Sequence, residues 1–581
     1  MNPNERNSGK AGSWQGGIGQ RLTGTLAAAC LVLLAGACAD LPQSGEVQAG
    51  LEGARAEAPW PRASAAPPVP GASEDQIVEG FLQAMLAGAT DGFKAARSYL
   101  AQDAAAVWDP SVSVVVYQSG EAPGLSQTGT QLGRMTLTVT QVGEVDSVGR
   151  YTTQNPTQRS EVLQLSQDQD GEWRISELPD GSIIPEDVFQ VDYLPAAIYF
   201  PSGDGQFLVP DRRVFPRQSA ATESARQFLA GPPPYLTGAV GAVVPSGTRL
   251  ATDAVKVTDG RATVNLSSAM ARASESARAT IRACLEATLT QLPDVTAVDL
   301  LIESVPLDAP AAAGLTHDPR SAGGPFYLTD AAVWLSDSGQ TREVAGTEAA
   351  GAWETLAVDH TQKRFAGLRQ GQIEVLAEGV LEPVIWEPPD GSGAPTAAPS
   401  FDRLGALWVA AGSVVTAFNA DGEAAVLGAP WLEGWTVEAL AASRDGSRLA
   451  LALQAGGNGE TRLVVTGIVR SEGAVPWRLT GPLDIARLAG PVTSLGWADG
   501  LTLAFLARPA GSDDPAPALL VVGGDIDFLK SPTDLPVALA CGTGTDQLFA
   551  SGKTGGLYAY SPRGRVWSSL AGGSKAVVLA P

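Results

Sequence analysis

Cys38 is the residue whose surroundings most clearly predict chemistry in this sequence. It directly follows three small residues, and an apolar run from Leu22 to Leu34 lies just before them. A basic N-terminal region, an apolar run of about fifteen residues and small residues at the cleavage site together form a secretory signal. The run is too short for a comfortable membrane span, which takes about twenty residues. The sequence therefore predicts that residues 1–37 are a signal peptide and that the remainder is exported.

The residues around Cys38 resemble the lipobox of bacterial lipoproteins, in which the cysteine is acylated and then becomes the first mature residue. The chain departs from the usual pattern, because Ala35 stands where leucine is usual and Leu34 lies one position further out. The resemblance implies that Cys38 carries S-diacylglycerol and N-palmitoyl groups, which would hold the protein at the extracytoplasmic face of the cell membrane. An uncleaved N-terminal anchor and ordinary secretion are the alternatives. Cys30 is a poorer candidate, because cleavage there would leave an apolar mature end.

Two short motifs resemble ion-binding loops but lack the parts that would bind an ion. Segment 168–171 reads DQDG and precedes Glu177, yet Ser166 takes the first position of a calcium loop and the flanking residues have strand character. Segment 552–554 reads GKT, like the end of a phosphate-binding loop, yet Gln547 stands where a glycine is needed and no helix follows. We expect both segments to be turns between strands.

No motif in the sequence supports catalysis. His360 lies beside Asp359, which suggests acid–base chemistry. In a turn between strands, however, such an aspartate commonly forms hydrogen bonds within the turn itself. The four cysteines and two histidines show no zinc or redox spacing, and the hydrolase, zinc-protease and nucleotide-binding motifs are missing. We therefore predict a protein that is not an enzyme and has no metal site or cofactor, although paired carboxylates stay an open alternative. Beyond the signal, Cys284 and Cys541 are expected to be buried thiols, and a disulfide between them is the less favoured alternative, because they fall in different predicted domains.

The composition indicates an acidic, multidomain chain with enough apolar residues for several cores. The chain has 581 residues, of which 44% are hydrophobic, and a formal net charge of -23. Residues 1–37 contain three basic residues and one acidic residue, so their removal makes the charge more negative still. Nucleic acid and phosphate-rich surfaces would repel such a chain. We therefore expect no nucleic-acid partner and about three to four domains.

Residues 38–72 and 73–190 are predicted to be a stalk and an α+β domain. The stalk, which follows the lipidated residue, is rich in proline and alanine, a composition that favours extended polyproline II. The domain begins with a capping-box pattern from Ser73 to Gln76, followed by apolar residues at helical spacing. Strand-like alternation starts near residue 112. Helices followed by an antiparallel sheet suggest a small α+β fold similar to nuclear transport factor 2 (NTF2-like).

Residues 191–308 are predicted to form a second α+β domain, a compact sandwich. Alternation from Val191 to Phe207 predicts a hairpin, after which strands and a helix follow, and residues 295–302 predict a closing strand. The phrases FLAGPP, VVPSGTRL, VTDGRATVNLS and LTQLPDVTAVDLLIE occur in this order. They resemble the GerMN domain of spore germination proteins over the length of the unit.

Residues 309–324 read as a linker, and residues 325–581 are predicted to form an all-β propeller of about five to six blades. Phrases made of a strand, an Asp/Gly turn and another apolar strand recur roughly every 40 to 56 residues. The final strands, at 556–560 and 566–567, are expected to complete the first blade and close the ring. Most tryptophans of this half should lie in blade cores, and Trp431 and Trp435 are the best candidates for exposure.

The domain order, from lipobox and stalk through two α+β domains to a propeller, resembles the LpqB family of actinobacterial lipoproteins. The resemblance implies an accessory of the MtrAB two-component system that contacts the extracellular domain of the sensor kinase MtrB. Cell-wall homeostasis and division would be the processes affected. A binding module for cell-wall fragments or another extracellular ligand is the alternative function, and a secreted propeller hydrolase comes third.

Overall fold

A computed structural model describes residues 66–581 except 129–132, 313, 322, 385, 387, 389–390, 392, 457–458 and 472–474. Cys38, the signal peptide and nearly the whole stalk lie outside the described residues. The described chain contains two α+β regions followed by an all-β region, which confirms the predicted three-domain fold class. No helix in this part of the chain is long and apolar enough to cross a membrane.

Four short helices open the first region. They are α1 (Glu74–Leu86), α2 (Gly88–Asp91), α3 (Lys94–Arg97) and α4 (Gln102–Val107). The predicted capping box is confirmed, because Ser73 Oγ accepts from the Gln76 amide at 3.4 Å and Gln76 Oε1 accepts from the Ser73 amide at 2.9 Å. These two bonds satisfy backbone N–H groups that the start of a helix would otherwise leave without partners.

A six-stranded sheet completes the first region, in the order β5-β4-β3-β1-β6 with β2 paired to β3. Its strands are β1 (Ser113–Tyr117), β2 (Gly124–Gln127), β3 (Arg134–Asp146), β4 (Tyr151–Gln167), β5 (Trp173–Glu177) and β6 (Ser182–Pro185). Alternate residues of β3 are buried, and Met135 and Leu137 share a core with Ile77 and Phe81 of α1. The region is α+β as predicted, and its likeness to NTF2 stays a prediction.

The second region combines a hairpin, three helices and a small sheet. Helix α5 (Glu186–Asp192) leads into β7 (Tyr193–Pro201), β8 (Leu208–Pro216), α6 (Ala220–Ala230), β9 (Lys256–Thr258), β10 (Arg261–Leu266), α7 (Glu275–Thr290), β11 (Ala297–Ile302) and β12 (Val305–Pro306). The hairpin predicted from Val191 to Phe207 was placed too early, since Val191 belongs to α5 and the turn lies at 202–207. Strands β10 and β11 are parallel and therefore need a crossover connection, which α7 supplies.

The third region forms, within the described residues, six sheets that are the blades of a propeller, at the upper end of the predicted number. Blade 1 contains β13 (Phe326–Leu328), β14 (Val333–Asp337) and β15 (Gln340–Glu343), and blade 2 contains β16 (Ala357–Val358), β17 (Arg364–Arg369), β18 (Gln372–Ala377) and β19 (Val380–Pro383). Blade 3 contains β20 (Ser400–Phe401), β21 (Leu407–Ala411), β22 (Val414–Phe418) and β23 (Ala424–Val426).

The remaining three blades follow the same plan, with the first strand innermost and the later strands further out. Blade 4 contains β24 (Trp435–Ala442), β25 (Arg448–Ala455), β26 (Glu460–Arg470), β27 (Pro476–Leu479) and the extra strand β28 (Leu483–Ala489). Blade 5 contains β29 (Ser494–Trp497), β30 (Thr502–Ala507), β31 (Ala516–Val521) and β32 (Ile526–Phe528). Blade 6 contains β33 (Pro536–Cys541), β34 (Leu548–Gly552), β35 (Leu557–Ser561) and β36 (Val566–Ala571).

The ring is closed by β37 (Ala576–Val578), which pairs antiparallel with β13 as the innermost strand of blade 1. The strands expected to close it, at 556–560 and 566–567, are instead the outer strands β35 and β36 of blade 6, so that prediction was wrong. Strand β37 has only three residues, and a segment this short carries almost no periodic signal. Its pairing with β13 joins the first blade to the last part of the chain.

Buried polar contacts join the second region to the propeller. Arg448 is only 1% exposed, and its guanidinium forms an ion pair with Asp445 and donates to the carbonyl oxygens of Pro210, at 3.4 Å, and Gly500, at 2.7 Å. The guanidinium also lies over the ring of Trp497, 4.6 Å from its centroid. Because Pro210 belongs to β8, one propeller side chain satisfies backbone groups on both sides of the junction.

The first region is bonded to the second at strand β8. The guanidinium of Arg213 donates to the carbonyl oxygen of Val148 at 2.6 Å. The backbone amide of Val214 donates to the carbonyl oxygen of Gly149 at 2.7 Å. Arg213 also pairs with the buried carboxylate of Asp211 at 2.5 Å, which accepts from the Tyr235 hydroxyl at 3.0 Å. Burial raises the pKa of Tyr235 well above its ordinary value. Strand β8 therefore contacts both the first region and the propeller.

Candidate functional site

The two motifs that resemble ion-binding loops are turns, as predicted. In segment 168–171, Asp168 Oδ1 accepts from the backbone amides of Asp170 and Glu172, both at 3.0 Å, and the segment joins β4 to β5. In segment 552–554, the amide and hydroxyl of Thr554 donate to the carboxylate of Asp534, the hydroxyl at 2.8 Å. Burial acts to raise the pKa of Asp534, but these hydrogen bonds outweigh it and lower the pKa below its ordinary value. A carboxylate in this position would repel a phosphate.

Asp359 has the structural role predicted for it. Its carboxylate is buried and accepts from the amides of Lys363, at 3.0 Å, and Arg364, at 3.1 Å, and from the Thr361 hydroxyl at 2.7 Å. His360 is exposed beside it. No group of three or more His, Cys, Asp or Glu residues in the described part of the chain is arranged to hold a metal ion.

The two cysteines beyond the signal are free, buried thiols, as expected. Burial raises the pKa of both, and the pKa of Cys541 reaches about 12.

The exposure expected for Trp431 and Trp435 was wrong, since both are partly buried and the Trp431 indole donates to the carbonyl oxygen of Thr480 at 2.9 Å. Among the described tryptophans Trp477, on the outer strand β27, is the most exposed at 51%.

A cavity runs along the propeller axis and is here called the channel. It has a volume of about 320 Å³ and is lined by the innermost strands of all six blades. Small side chains keep it open, because larger ones would fill the axis. They include Ala357, Ser400, Ala441, Gly496, Ala540 and Ala576. Among the described residues each innermost strand pairs with a neighbouring strand on one side only. Side chains bond part of the other edge, since the Leu539 amide donates to Ser494 Oγ at 3.0 Å and the Trp497 indole donates to the carbonyl oxygen of Ala441 at 3.1 Å.

One end of the channel, here called the mouth, is exposed. The mouth is formed by residues just before or at the start of the innermost strands, and Glu354, Ala398, Thr493 and Val537 are all exposed there. Lys575 lies at the same end, where its ammonium group donates to the carbonyl oxygen of Gly351 at 2.8 Å. A ligand could therefore enter the channel from this face.

The opposite end, here called the base, lies on the side of the propeller where residues 315–321 and the second region contact blades 4 and 5. Phe401, Trp497 and Cys541 line the base and are all buried. Asp318 accepts from the amide of Gly500 at 2.9 Å, and the hydroxyl of Ser321 donates to the carbonyl oxygen of Ala580 at 2.6 Å. Segment 315–321 is therefore bonded to blade 5 and to the last residues of the chain near this end of the channel.

Arg444 lies at the base, where Pro581, the last residue of the chain, also lines the channel. It follows β24, and its guanidinium donates to the carbonyl oxygens of Cys541 and of Ala498, the latter at 3.4 Å. Arg444 lines both the channel and a separate cavity of about 20 Å³. Asp318 and Asp499 line this small cavity but do not line the channel. Burial lowers the pKa of Arg444, and the nearby negative charges oppose this shift only in part.

Three family models match successive parts of the chain. Residues 67–190 match the lipoprotein LpqB N-terminal domain, residues 197–308 match a sporulation and spore germination domain, and residues 331–579 match the lipoprotein LpqB beta-propeller domain. The chain belongs to the LpqB lipoprotein family. The second of these matches also agrees with the GerMN resemblance noted in the sequence.

LpqB lipoproteins of several actinobacteria are similar to this chain over most of its length. The LpqB lipoprotein of Thermobifida fusca (strain YX) is 28% identical, over 92% of this chain and 97% of its own. That of Cutibacterium acnes (strain DSM 16379 / KPA171202) is 28% identical, over 85% of this chain and 88% of its own. Among solved structures, virginiamycin B lyase from Staphylococcus aureus aligns with 43% of this chain and 86% of its own, at 14% identity and a TM-score of 0.28.

Proposed function

We propose that this protein is a lipid-anchored component of the cell envelope that modulates a sensor kinase similar to MtrB by contacting the kinase's extracellular domain. Cell-wall homeostasis and division are the processes affected. The observation that carries the proposal is membership of the LpqB lipoprotein family over three successive domains. A lipid anchor at Cys38 raises the effective concentration of the protein near any partner embedded in the same membrane.

Modulation requires more than contact. A kinase changes its signalling state only if this protein binds one state more tightly than the other, because equal affinity for both states shifts nothing. The contacts of β8 with both neighbouring regions support such a role, since a partner bound to one region meets a body in which all three are bonded together. Regions bonded together in this way discriminate better between two partner shapes than loosely linked domains would.

Replacing Cys38 with alanine is expected to remove the anchor. The variant should lose incorporation of labelled palmitate and move from the membrane fraction to the soluble fraction, because no thiol remains at the acylation position. Cys30→Ala is the matched control, since it removes a cysteine only eight positions away. Its labelling and membrane fraction should equal those of the unaltered protein. If Cys38→Ala retained palmitate and Cys30→Ala lost it, the lipid would be on Cys30 and the prediction would be contradicted.

Contact with the kinase is tested by photo-crosslinking in intact cells. A photoreactive amino acid replaces one exposed apolar residue in each region, Val107 in the first, Val305 in the second and Trp477 in the propeller. At least one of these lipidated proteins should become covalently linked to a sensor kinase, identified by mass spectrometry. The soluble Cys38→Ala form carrying the same crosslinker should give a much weaker product. The absence of any kinase product at all three positions would contradict the proposal.

A further inference from the structure

Strand β11 of the second region leaves part of one edge without a partner strand. It pairs with β10 along its whole length, but on its other side β12 reaches only residues 301–302. The chain follows β11 for one more bond, in which the Leu307 amide donates to the carbonyl oxygen of Leu300 at 2.9 Å. It then bonds to α7 instead, because Arg282 donates to the carbonyl oxygen of Ala309 at 2.8 Å. The first half of β11 therefore has an open edge.

The register of the parallel pair identifies the backbone groups on this open edge. The amides of Ala297 and Glu303 donate to carbonyl oxygens on the β10 side, at 3.1 and 3.0 Å. Because the hydrogen-bonding groups of successive residues in a strand point alternately to its two sides, the even-numbered residues of β11 face away from β10. The N–H and C=O of Val298 and the N–H of Leu300 therefore point to the open edge, and within the described residues these three groups have no hydrogen-bond partner.

A cavity of about 440 Å³ runs along the open edge and is here called the groove. Apolar side chains form much of its lining, including Val298, Leu300, Leu301, Pro306 and Leu307. Pro306 is exposed, so the groove can be reached from solvent. The volume lies in the lower part of the range for ligand sites and suits about three or four residues of an extended chain. The groove thus combines unpaired backbone groups with apolar walls.

Strand β9, at the opposite edge of the same sheet, offers backbone groups without such walls. Thr258 and Arg261 close a two-residue turn, so the next pair, Val257 and Ala262, is a non-hydrogen-bonded one. The N–H and C=O of Val257 therefore also face outward. All three residues of β9 are exposed, however, and none of them lines the groove. A strand added at β9 would bury little apolar surface, which makes β11 the better docking edge.

We propose that the groove binds an extended peptide segment of a partner protein, which joins the sheet as a new strand beside β11. A second backbone offers donors and acceptors at the spacing of the three unpaired groups, and these main-chain bonds supply affinity in strand addition. Specificity comes from side chains, so the segment should carry apolar residues where it meets Leu301 and Pro306. The proposal goes beyond the kinase contact and does not depend on it.

The test is fluorescence anisotropy of a fluorescein-labelled peptide, Val-Thr-Val-Thr-Val amide, titrated with the purified full chain in detergent micelles and corrected for empty micelles. Its β-branched residues favour an extended chain, and we expect it to bind in the millimolar range or more tightly. Val298→Pro should weaken binding at least about tenfold, because proline removes one unpaired N–H and places its ring in the path of the peptide. Proline is tolerated on an edge strand where the N–H makes no ladder bond.

Val257→Pro is the matched control, since it makes the same change at an outward-facing N–H on the opposite edge of the sheet. It should leave the affinity for the peptide unchanged. The proposal would be overturned by no binding at about 10 mM peptide, by equal affinities of the two variants, or by a loss of binding only in Val257→Pro.

A second pair of variants keeps the test decisive if Val298→Pro fails to fold. Pro306→Trp fills the groove from its exposed side and should reduce the affinity at least about tenfold. Val305→Trp should leave it unchanged, because Val305 is 65% exposed and does not line the groove. Unchanged affinity in Pro306→Trp would show that the peptide binds elsewhere. A dimer of the full chain that Val298→Pro dissociates in sedimentation velocity would show that a second copy fills the groove, and would also overturn the proposal.

Discussion

Arg448→Met is expected to lower the free energy of unfolding by about 3–5 kcal/mol, the cost of breaking a buried ion pair by removing one partner. Methionine fills much of the space but donates no hydrogen bond. The carboxylate of Asp445 would stay buried without its cation, and the carbonyl oxygens of Pro210 and Gly500 would lose their donor. Because Pro210 lies in β8, the loss should weaken the junction between the second region and the propeller as well as blade 4.

The measurement is urea denaturation followed by tryptophan fluorescence, together with limited proteolysis of the folded protein. Arg487→Met is the matched control, because Arg487 forms an ion pair with Glu460 in which both side chains are exposed. Exposed pairs contribute about 0–1 kcal/mol, so this variant should scarcely change the urea midpoint. Faster cleavage within residues 309–324 is expected only in Arg448→Met. Equal midpoints for the two variants would show that the buried pair does not stabilise the junction.

The local features of this fold could be predicted from the sequence because their causes are local. The capping box at Ser73 needs only four consecutive residues, and the turn at Asp359 needs a carboxylate followed by amides within five positions. The blades were recognisable because each repeats a strand, a polar turn and a second strand. Their number was harder to fix, since the first blade takes its innermost strand from β37.

The candidate site could not be predicted, because it depends on residues that are distant in sequence. Arg444, just after β24, and Cys541, at the end of β33, each look unremarkable in the sequence, and only the arrangement of the blades around the axis brings the guanidinium of one to the carbonyl oxygen of the other. Asp445 and Arg448 are separated by three positions and suggest a surface turn, whereas packing against Pro210 buries them. Neither periodicity nor composition reports which blade faces will be covered by another domain.

The second large effect is expected at the closure of the ring, where Val577→Asp should abolish cooperative folding of the propeller. Val577 is 5% exposed and pairs with Tyr327 of β13, so the variant places a carboxylate in the core that joins the first and last blades. The apolar burial that Val577 supplies contributes about 1.5–3 kcal/mol. An unpaired buried charge costs several kcal/mol more. The sum is a large part of the stability of a typical domain.

Val566→Asp provides the matched control, since it makes the same chemical change at a side chain that is 53% exposed on the outermost strand of blade 6. It should change the melting temperature by only a few degrees, because the new carboxylate stays in water. For Val577→Asp we expect loss of the near-ultraviolet circular dichroism of the propeller tryptophans and binding of a hydrophobic dye to the exposed edge of β13. If both variants melted at the same temperature, the stability of the propeller would not depend on the pairing of β37 with β13.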